Sequence, residues 1–377
     1  MKVAVLGSTG SIGRQALEVI EALGPDFQVV ALAAGTNLEL LAEQIEKFQP
    51  TVVSVGTLEL VEPLRQRIGQ GKLKILCGRE GLLELAARPE VEMVVNGLVG
   101  AIGLEPTLAA LQAGKRIGLA NKESLVIGGH LVREALGHGG ELIPIDSEHS
   151  ALFQLLEGRT REEVERIIVT ASGGALRDRP ISELGRVTPE EVLDHPNWRM
   201  GPRITVDSAT LVNKGFEIIE AHWLFGLDYD KICALLHPQS IVHGLVELAD
   251  GTITASLSPP DMRPPIQYAL TYPERLGNGF PKLELIGLQL DFADIDPERY
   301  PAFAVVVEAG RIGGTMPAAV NGADEALVER FLRGEIAFRK LWEGLRQVLQ
   351  AHQVVLDPSL EEIMAADRWA REFVMAR

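Results

Sequence analysis

Two groups of charged and hydroxyl side chains stand out from 377 residues of otherwise ordinary composition. In "ELIPIDSEHSAL" (141–152) an apolar run stops at Asp146, Ser147, Glu148 and His149. Carboxylates two residues apart at the end of a buried strand are costly unless a positive charge answers them. If the strand continues through them, Asp146 and Glu148 project from one face. In "RITVDSATLVNKGFEIIEAHWLFG" (203–226), Asn213 and Glu217 are spaced i, i+4 and Lys214 and Glu217 i, i+3, so a helix would bring all three to one side. Asp207 or Ser208 would cap that helix. Taken alone, the helix reads either as a solvated face carrying an ion pair or as one wall of a site. Joined to the first group, Asp146, Glu148 and Glu217 would make an oxygen site for Mg²⁺ or Mn²⁺. His149, His222, His237 and His243 offer a rival imidazole set. Their spacing matches no zinc pattern such as HExxH, so structural or substrate-facing roles are expected of them.

Ser172, Ser208, Asn213 and Lys214 supply hydroxyl, amide and ammonium donors suited to a phosphate. Between them, "TASGGALRDRP" (170–180) and "TPEEVLDHPNWRMGPR" (188–203) form a long excursion with Trp198 and Met200 near its far end. Thr188, Pro189 and Glu191 spell a capped short helix inside it. Such an excursion is either a lid over a site or a plain surface loop.

"VLGSTGSIGRQAL" places Gly7, Gly10 and Gly13 after a first strand and into a first helix. Glycines there let the backbone turn tightly and approach a pyrophosphate at the helix N-terminus. The alternative is a tight turn in a non-binding α/β domain. The second strand ends Ala34, Gly35, Thr36, Asn37, with no acid before Glu39. Without a carboxylate to repel a 2′-phosphate NADPH is favoured over NADH, although no Lys or Arg stands there to attract it.

The elements that must position these residues follow from periodicity. Seven β-rich runs, "KVAVLG", "FQVVALAAG", "TVVSVG", "KLKILCG", "VEMVVNG", "RIGLAN" and "ELIPI", alternate with amphipathic stretches up to residue 145. Repeated βα units imply a Rossmann-like, doubly wound parallel sheet in an α/β protein. From 147 to about 270 an α+β pattern is expected, with strands at 165–172, 203–207, 239–248 and 252–258 separated by one long irregular stretch and one strong helix. "YPERLGNGFPKLELIG" (272–287) is rich in Pro and Gly and reads as a connection. Beyond 301 a helical bundle is expected: Leu341, Leu345, Val348 and Leu349 share a face, and Ser359 with Glu362 forms a capping box. The expected domains are thus 1–146, 147–271 with a mobile lid at about 172–203, a 272–300 linker, and 301–377.

Net charge is −16 with a pI near 5.0, which argues against nucleic acid and leaves any anionic substrate dependent on a local pocket. No apolar run approaches the roughly 18–20 residues of a membrane helix, and the first residues do not form a signal peptide. Cys77 and Cys233 lie far apart, outside any CxxC spacing, so a reduced, cytoplasmic compartment is expected.

"GSTGSIG", "LANKESLV", "DSEHSA", "ASGG", "HPNWRMG", "DSATLVNKGFEIIEAH", "HPQSIVHG" and "PPDMRPPI" occur in order along essentially the whole chain. In this the sequence resembles the 1-deoxy-D-xylulose 5-phosphate reductoisomerase family. The resemblance implies NADPH- and divalent-metal-dependent isomerisation and reduction of 1-deoxy-D-xylulose 5-phosphate to 2-C-methyl-D-erythritol 4-phosphate, in the non-mevalonate isoprenoid pathway. The skeleton would rearrange by retro-aldol cleavage and re-addition before hydride transfer. It implies Asp146, Glu148 and Glu217 as ligands of one Mn²⁺, Mg²⁺ or Co²⁺. Ser172, Ser208, Asn213 and Lys214 would hold the substrate phosphate, with Lys122, Ser147 and His195 against or beside the substrate. Lys122 and His195 would join the three carboxylates in the chemistry. Trp198 would close over the substrate, with Met200 and Met262 as apolar walls. Thr9, Gly10, Ser11, Ile12, Gly35, Thr36, Asn37, Asn121, Glu123 and Gly201 would meet NADPH. Family members often carry Lys or Arg where this chain has Thr36; Arg14, one turn into the first helix, is placed to compensate. A homodimer is implied too.

Two other readings make different demands. A semialdehyde dehydrogenase would need a nucleophilic Cys beside a His, and neither Cys77 nor Cys233 sits in such a context. A non-enzymatic NAD(P)-binding redox sensor would have no use for three carboxylates.

Overall fold

The computed structural model describes residues 1–69, 71–277 and 279–377. The chain divides into two compact units, each assembled from separate stretches: residues 1–124, 130–147 and 261–281 in the first, and 125–129, 148–260 and 282–377 in the second.

The first unit is built on β1 (Lys2–Leu6), α1 (Ser11–Leu23), β2 (Gln28–Ala33), α2 (Leu38–Phe48), β3 (Val52–Val55), α3 (Val61–Ile68), β4 (Lys74–Cys77), α4 (Gly78–Ala87), β5 (Met93–Asn96), α5 (Leu104–Gln112), β6 (Arg116–Leu119), α6 (Glu123–Leu136) and β7 (Glu141–Pro144). All seven strands are parallel, in the order β4-β3-β2-β1-β5-β6-β7. Strands β3 and β5 are buried at every residue, as expected of strands covered on both faces. After β4 at one edge the chain crosses to the far side of β1, so the order reverses between β1 and β5. In open α/β sheets the crevice at that reversal is where ligands bind.

The second unit carries α7 (Ser147–Leu156), β8 (Val164–Ala171), α8 (Pro189–Leu193), α9 (Pro202–Thr210), α10 (Val212–Phe225), β9 (Ile232–Leu236), β10 (Val242–Leu248) and β11 (Ile253–Leu257). Its sheet runs β11-β10-β8-β9, with β10 antiparallel to both neighbours and β8 parallel to β9. Leu152, Ile167, Val169, Ile218, Ala221 and Val246 form the core beneath it. After α11 (Arg263–Thr271), which belongs to the first unit, come α12 (Pro301–Ile312), α13 (Met316–Leu332), α14 (Lys340–Ala351) and α15 (Leu360–Met375). Helix α13 is buried along most of its length, which makes it the centre of the helical bundle. Among the described residues, no helix is long and apolar enough to cross a membrane.

The expected fold class is present, with three local corrections. Residues 203–207, expected as a strand for their Ile, Thr and Val, lie inside helix α9. Gly201 is its N-cap and Pro202 its first residue, so Asp207 and Ser208 are internal rather than capping. Strand β9 was hidden in "KICALL" and exists because it pairs with β8. The third correction concerns the opening carboxylates. β7 ends at Pro144 and a helix begins at Ser147, so strand alternation does not relate Asp146 to Glu148.

Candidate active site

In the first unit the glycine turn is shaped by close backbone packing. Gly7 has φ +79°, and a Cβ there would lie 2.6 Å from the carbonyl oxygen of Gly97, which follows β5. A Cβ on Gly13 would strike the backbone of Gly7 and Ser8. The turn therefore needs glycine to fold against the β5 loop and α1 at the crevice between β1 and β5. Gly10 caps α1 without a side-chain acceptor, and no acid lies in the first turn, which leaves the amide groups around Ser11 and Ile12 suited to an anion. Gly35, Thr36 and Asn37 are exposed past the end of β2. Asn37 has a structural duty as well, capping α2 through the Leu40 amide at 3.2 Å.

Asn121 and Glu123 hold the loop after β5. The Asn121 amide donates to the carbonyls of Leu98 and Gly100, each at 3.0 Å, and to Glu123 at 2.9 Å. Glu123 accepts the Gly100 N–H at 3.1 Å. Both side chains thus position backbone at the crevice. Lys122, between them, donates to Asp146 Oδ2 at 2.6 Å, and both residues are buried.

The second unit brings the other carboxylates together. Lys214 Nζ donates to Glu148 Oε1 at 2.7 Å and also to Glu217 Oε2, while Asn213 Nδ2 donates to Glu217 Oε1 at 2.5 Å. Glu217 is 1 % exposed and Lys214 3 %, so the solvated-face reading of this helix is wrong. A buried carboxylate needs such partners, and here carboxylates from α7 and α10 converge on one cation. Behind them, His149 Nε2 donates to the Glu217 carbonyl at 2.9 Å and Nδ1 lies 3.4 Å from Glu220. That ties the helix bearing Glu148 to the one bearing Glu217.

His222, His237 and His243 likewise each place a ring nitrogen on a backbone carbonyl: those of Leu227, Asp291 and Ser258. These bonds are structural, one of the two kinds of role expected of these histidines.

The hydroxyl cluster assembles across a bend. Leu211, buried with φ +58°, breaks the path between α9 and α10, so Ser208 and Asn213 sit on either side of a corner. Gly174, at φ +69°, packs so closely on α9 that a Cβ would lie 2.5 Å from Ala209 Cα. Ser172 Oγ thereby reaches 3.4 Å from Ser208 Oγ. Three further bonds fix this turn: Tyr300 Oη to the Gly173 carbonyl at 3.0 Å, Arg177 to the Ser172 carbonyl at 2.7 Å, and Arg299 to the Leu176 carbonyl at 3.0 Å. Burial pushes the Tyr300 hydroxyl up to about 12, so it remains a donor. Tyr300, Arg177 and Arg299 escaped the sequence reading because nothing local distinguishes them.

The 172–203 segment contains α8, capped by Thr188 and Glu191 as expected. Its far end meets the turn after β9: Asn197 Nδ2 donates to the Pro238 carbonyl at 2.6 Å, and the Trp198 ring meets His243 edge-on at 6.3 Å. His195 lies 3.0 Å from Ser172 Oγ through Nε2. Burial, with the charge of Arg177, lowers its pKa.

A buried network braces α9 from the helical bundle. Arg203 reaches Glu325 and Asn321 at 3.0 Å, Asp324 at 3.5 Å and Asp207 at 3.6 Å; Arg371 joins Glu325 at 2.7 Å to Asp367 at 2.6 Å.

Comparison with known proteins decides what this arrangement belongs to. Three family models match in sequence: 1-deoxy-D-xylulose 5-phosphate reductoisomerase over residues 3–129, its C-terminal domain over 142–225, and the DXP reductoisomerase C-terminal domain over 257–373. The chain belongs to the 1-deoxy-D-xylulose 5-phosphate reductoisomerase family.

The relative of that name from Pelotomaculum thermopropionicum is 51% identical over 98% of this chain and 96% of its own. That from Exiguobacterium sibiricum is 48% identical over 99% and 98%. A DOX-P reductoisomerase crystal structure in complex with NADPH, fosmidomycin and magnesium superposes with a TM-score of 0.95 at 36% identity, covering 100% of this chain and 98% of that one. The Zymomonas mobilis enzyme in complex with NADPH gives 0.92 at 38% identity, with the same coverage.

Proposed function

We propose that this chain converts 1-deoxy-D-xylulose 5-phosphate into 2-C-methyl-D-erythritol 4-phosphate, using NADPH and one divalent cation, as a step toward isoprenoid precursors. The single observation that carries the reading at the site is the convergence of Glu148 and Glu217 on one buried cation, Lys214, beside the hydroxyl cluster of Ser172 and Ser208. In this reading 1–146 serves the cofactor, 147–271 metal and substrate apart from α11, which packs with the first unit, 272–300 connects, and 301–377 gives helical support.

The residues fit both a divalent cation and a dinucleotide. Asp146, Glu148 and Glu217 are oxygen donors only, which suits Mg²⁺, Mn²⁺ or Co²⁺ rather than a soft metal. The glycine turn and uncapped α1 suit a dinucleotide pyrophosphate, with Thr9, Gly10, Ser11, Ile12, Gly35, Thr36, Asn37, Asn121, Glu123 and Gly201 as the residues toward NADPH. When bound, the cation polarises the substrate's ketone and neighbouring hydroxyl, and NADPH supplies the hydride.

The chain's own residues do the rest. Ser172, Ser208, Asn213 and Lys214 bind the phosphate, and that remote binding energy is available to organise the reacting end. Lys122 and Ser147 contact the substrate, with Lys122 also donating to the Asp146 carboxylate at 2.6 Å. Trp198, with Met200 and Met262, excludes water from the reactive carbonyl. Exposed Ile253 and Leu257 on β11, an edge strand, support a homodimer, since an apolar sheet edge left bare invites pairing. A cytoplasmic location accords with two free cysteines.

The experiment is NADPH oxidation with 1-deoxy-D-xylulose 5-phosphate, with Mn²⁺ and with chelator. Metal-dependent turnover is expected; turnover that ignores the chelator, or none, would refute the reading.

A further inference from the structure

Arg203 is the second residue of α9, after the N-cap Gly201 and Pro202. Its guanidinium answers groups on two helices. Nε faces Asp207, one turn further along α9, at 3.6 Å. Nη1 meets Glu325 at 3.0 Å, and Nη2 meets Asn321 at 3.0 Å and Asp324 at 3.5 Å. Those three residues lie on α13. A planar fork whose nitrogens are fixed relative to one another sets both the spacing and the rotation of the helices it joins.

The line of pairs continues into α15. Arg371 donates to Glu325 at 2.7 Å and to Asp367 at 2.6 Å, and the Asn321 amide donates to Glu325 at 3.0 Å. Helices α13 and α15 touch at this point: a Cβ on Gly322 would lie 2.5 Å from the Asp367 carbonyl oxygen. Asp207, Asp324 and Asp367 are all buried, so a misplaced partner is costly at each of them. Paired charge therefore runs from α15 through α13 to the start of α9.

The other end of α9 carries Ser208. Its placement is exacting, because Gly174 packs on Ala209 with no room for a Cβ. Helix α10, with Lys214 and Glu217, is seated differently. It rests on α12, where a Cβ on Gly215 would lie 2.7 Å from Val306 Cβ, and Leu211 at φ +58° breaks the path between α9 and α10. A shift of α9 then moves Ser208 and leaves Glu217 in place.

We propose that Arg203 is a positioning residue: through Glu325 and Arg371 it transmits the placement of α13 and α15 to α9, and so sets Ser208 against the rest of the site. It rests on the reading of Ser208 as a substrate ligand given above. On this account the helical bundle contributes to substrate affinity without touching the substrate.

The first test needs no turnover: hydrogen exchange, followed by mass spectrometry, on the full-length Arg371→Met protein. Arg371 pairs with α13 and with its own helix, so a relay must carry its loss to α9. Amide exchange over residues 202–210 should speed about tenfold, with exchange in β8 unchanged. Unchanged protection of α9 overturns the proposal, and so does equal acceleration in β8, which is general loosening.

The second test reads the site. Arg203→Met should raise KM for 1-deoxy-D-xylulose 5-phosphate about tenfold, a weakened bond to an anion being of that order, with kcat changed less than about threefold. Its Mn²⁺ affinity should match the wild type. Arg203→Lys keeps a cation facing Asp207 and α13, and its KM should stay within about threefold of the wild type. Arg203→Met also takes a cation from buried carboxylates and lowers the denaturation midpoint. Adding Asp324→Asn and Glu325→Gln should restore most of the midpoint and leave KM raised. Recovery of KM along with the midpoint would make the network a stability device alone and sink the proposal, as would a wild-type KM in Arg203→Met. Absence of turnover in the wild type would instead refute the function while leaving hydrogen exchange to judge the relay.

Discussion

Lys122 gives its ammonium to Asp146 at 2.6 Å, and each of the two residues is only 8 % exposed. An ion pair this buried is weak evidence for stability, but either partner alone is expensive to leave behind. Lys122→Met should therefore destabilise the protein by about 2–3 kcal/mol, read as a lower denaturation midpoint. Lys122→Met with Asp146→Asn should recover more than half of that loss, while activity stays abolished. Equal midpoints for the single and double variants would show that the pair is not coupled.

Glu217 is held by Lys214 and Asn213 on its own helix, and Glu148 reaches the same Lys214 from α7. Glu217→Gln keeps the shape and removes a negative charge. Mn²⁺ affinity, followed by electron paramagnetic resonance, should fall at least about 100-fold and kcat by about a thousandfold. Unchanged Mn²⁺ affinity would remove Glu217 from the metal site.

Two buried groups in the second unit should tilt the pH dependence of stability in opposite directions. Burial pushes the His243 imidazole from 6.5 down to about 4, with the Ser258 carbonyl opposing it. Unfolding then takes up a proton below 6.5, so its contribution is complete above that pH and drains away toward 4. Burial raises the Asp324 carboxyl from 3.8 to about 6, with Arg203 offsetting part. Its contribution is complete below 3.8 and is lost as pH rises through 6. Each effect amounts to about 3 kcal/mol at most. The drop in Tm between pH 7.5 and 5 should thus be smaller in His243→Gln than in the wild type, and larger in Asp324→Asn. The reverse order would overturn both assignments.

Thr36 lies exposed past β2, and residues 34–38 carry no charged side chain. Thr36→Lys should tighten NADPH about tenfold and leave NADH unchanged, measured by fluorescence titration of each cofactor. Equal gains for both would place the new charge away from the 2′-phosphate.

What was legible in the residues alone was what local periodicity and backbone chemistry encode. Seven short apolar runs became seven parallel strands, Gly7 and Gly13 marked a turn that only glycine can make, and the Thr188 and Ser359 boxes capped their helices as written. The residue types of the site were legible too, since carboxylates and hydroxyls in "DSEHSA" and "DSATLVNKGFE" announce charge chemistry wherever they sit. Tertiary structure decided the rest, because it depended on partners distant in sequence. The Ile, Thr and Val of 203–207 favour a strand, but Pro202 at a helix start and the Arg203 contacts with α13 put them in α9. "KICALL" became β9 only because β8 was there to pair with it. No local pattern said that Lys214 and Glu217 would be buried, or that Tyr300 would hold the Ser172 turn from 127 residues away. Short-range propensity sets which elements can form; burial and the pairing of buried charge, which are properties of the folded whole, set where each side chain ends.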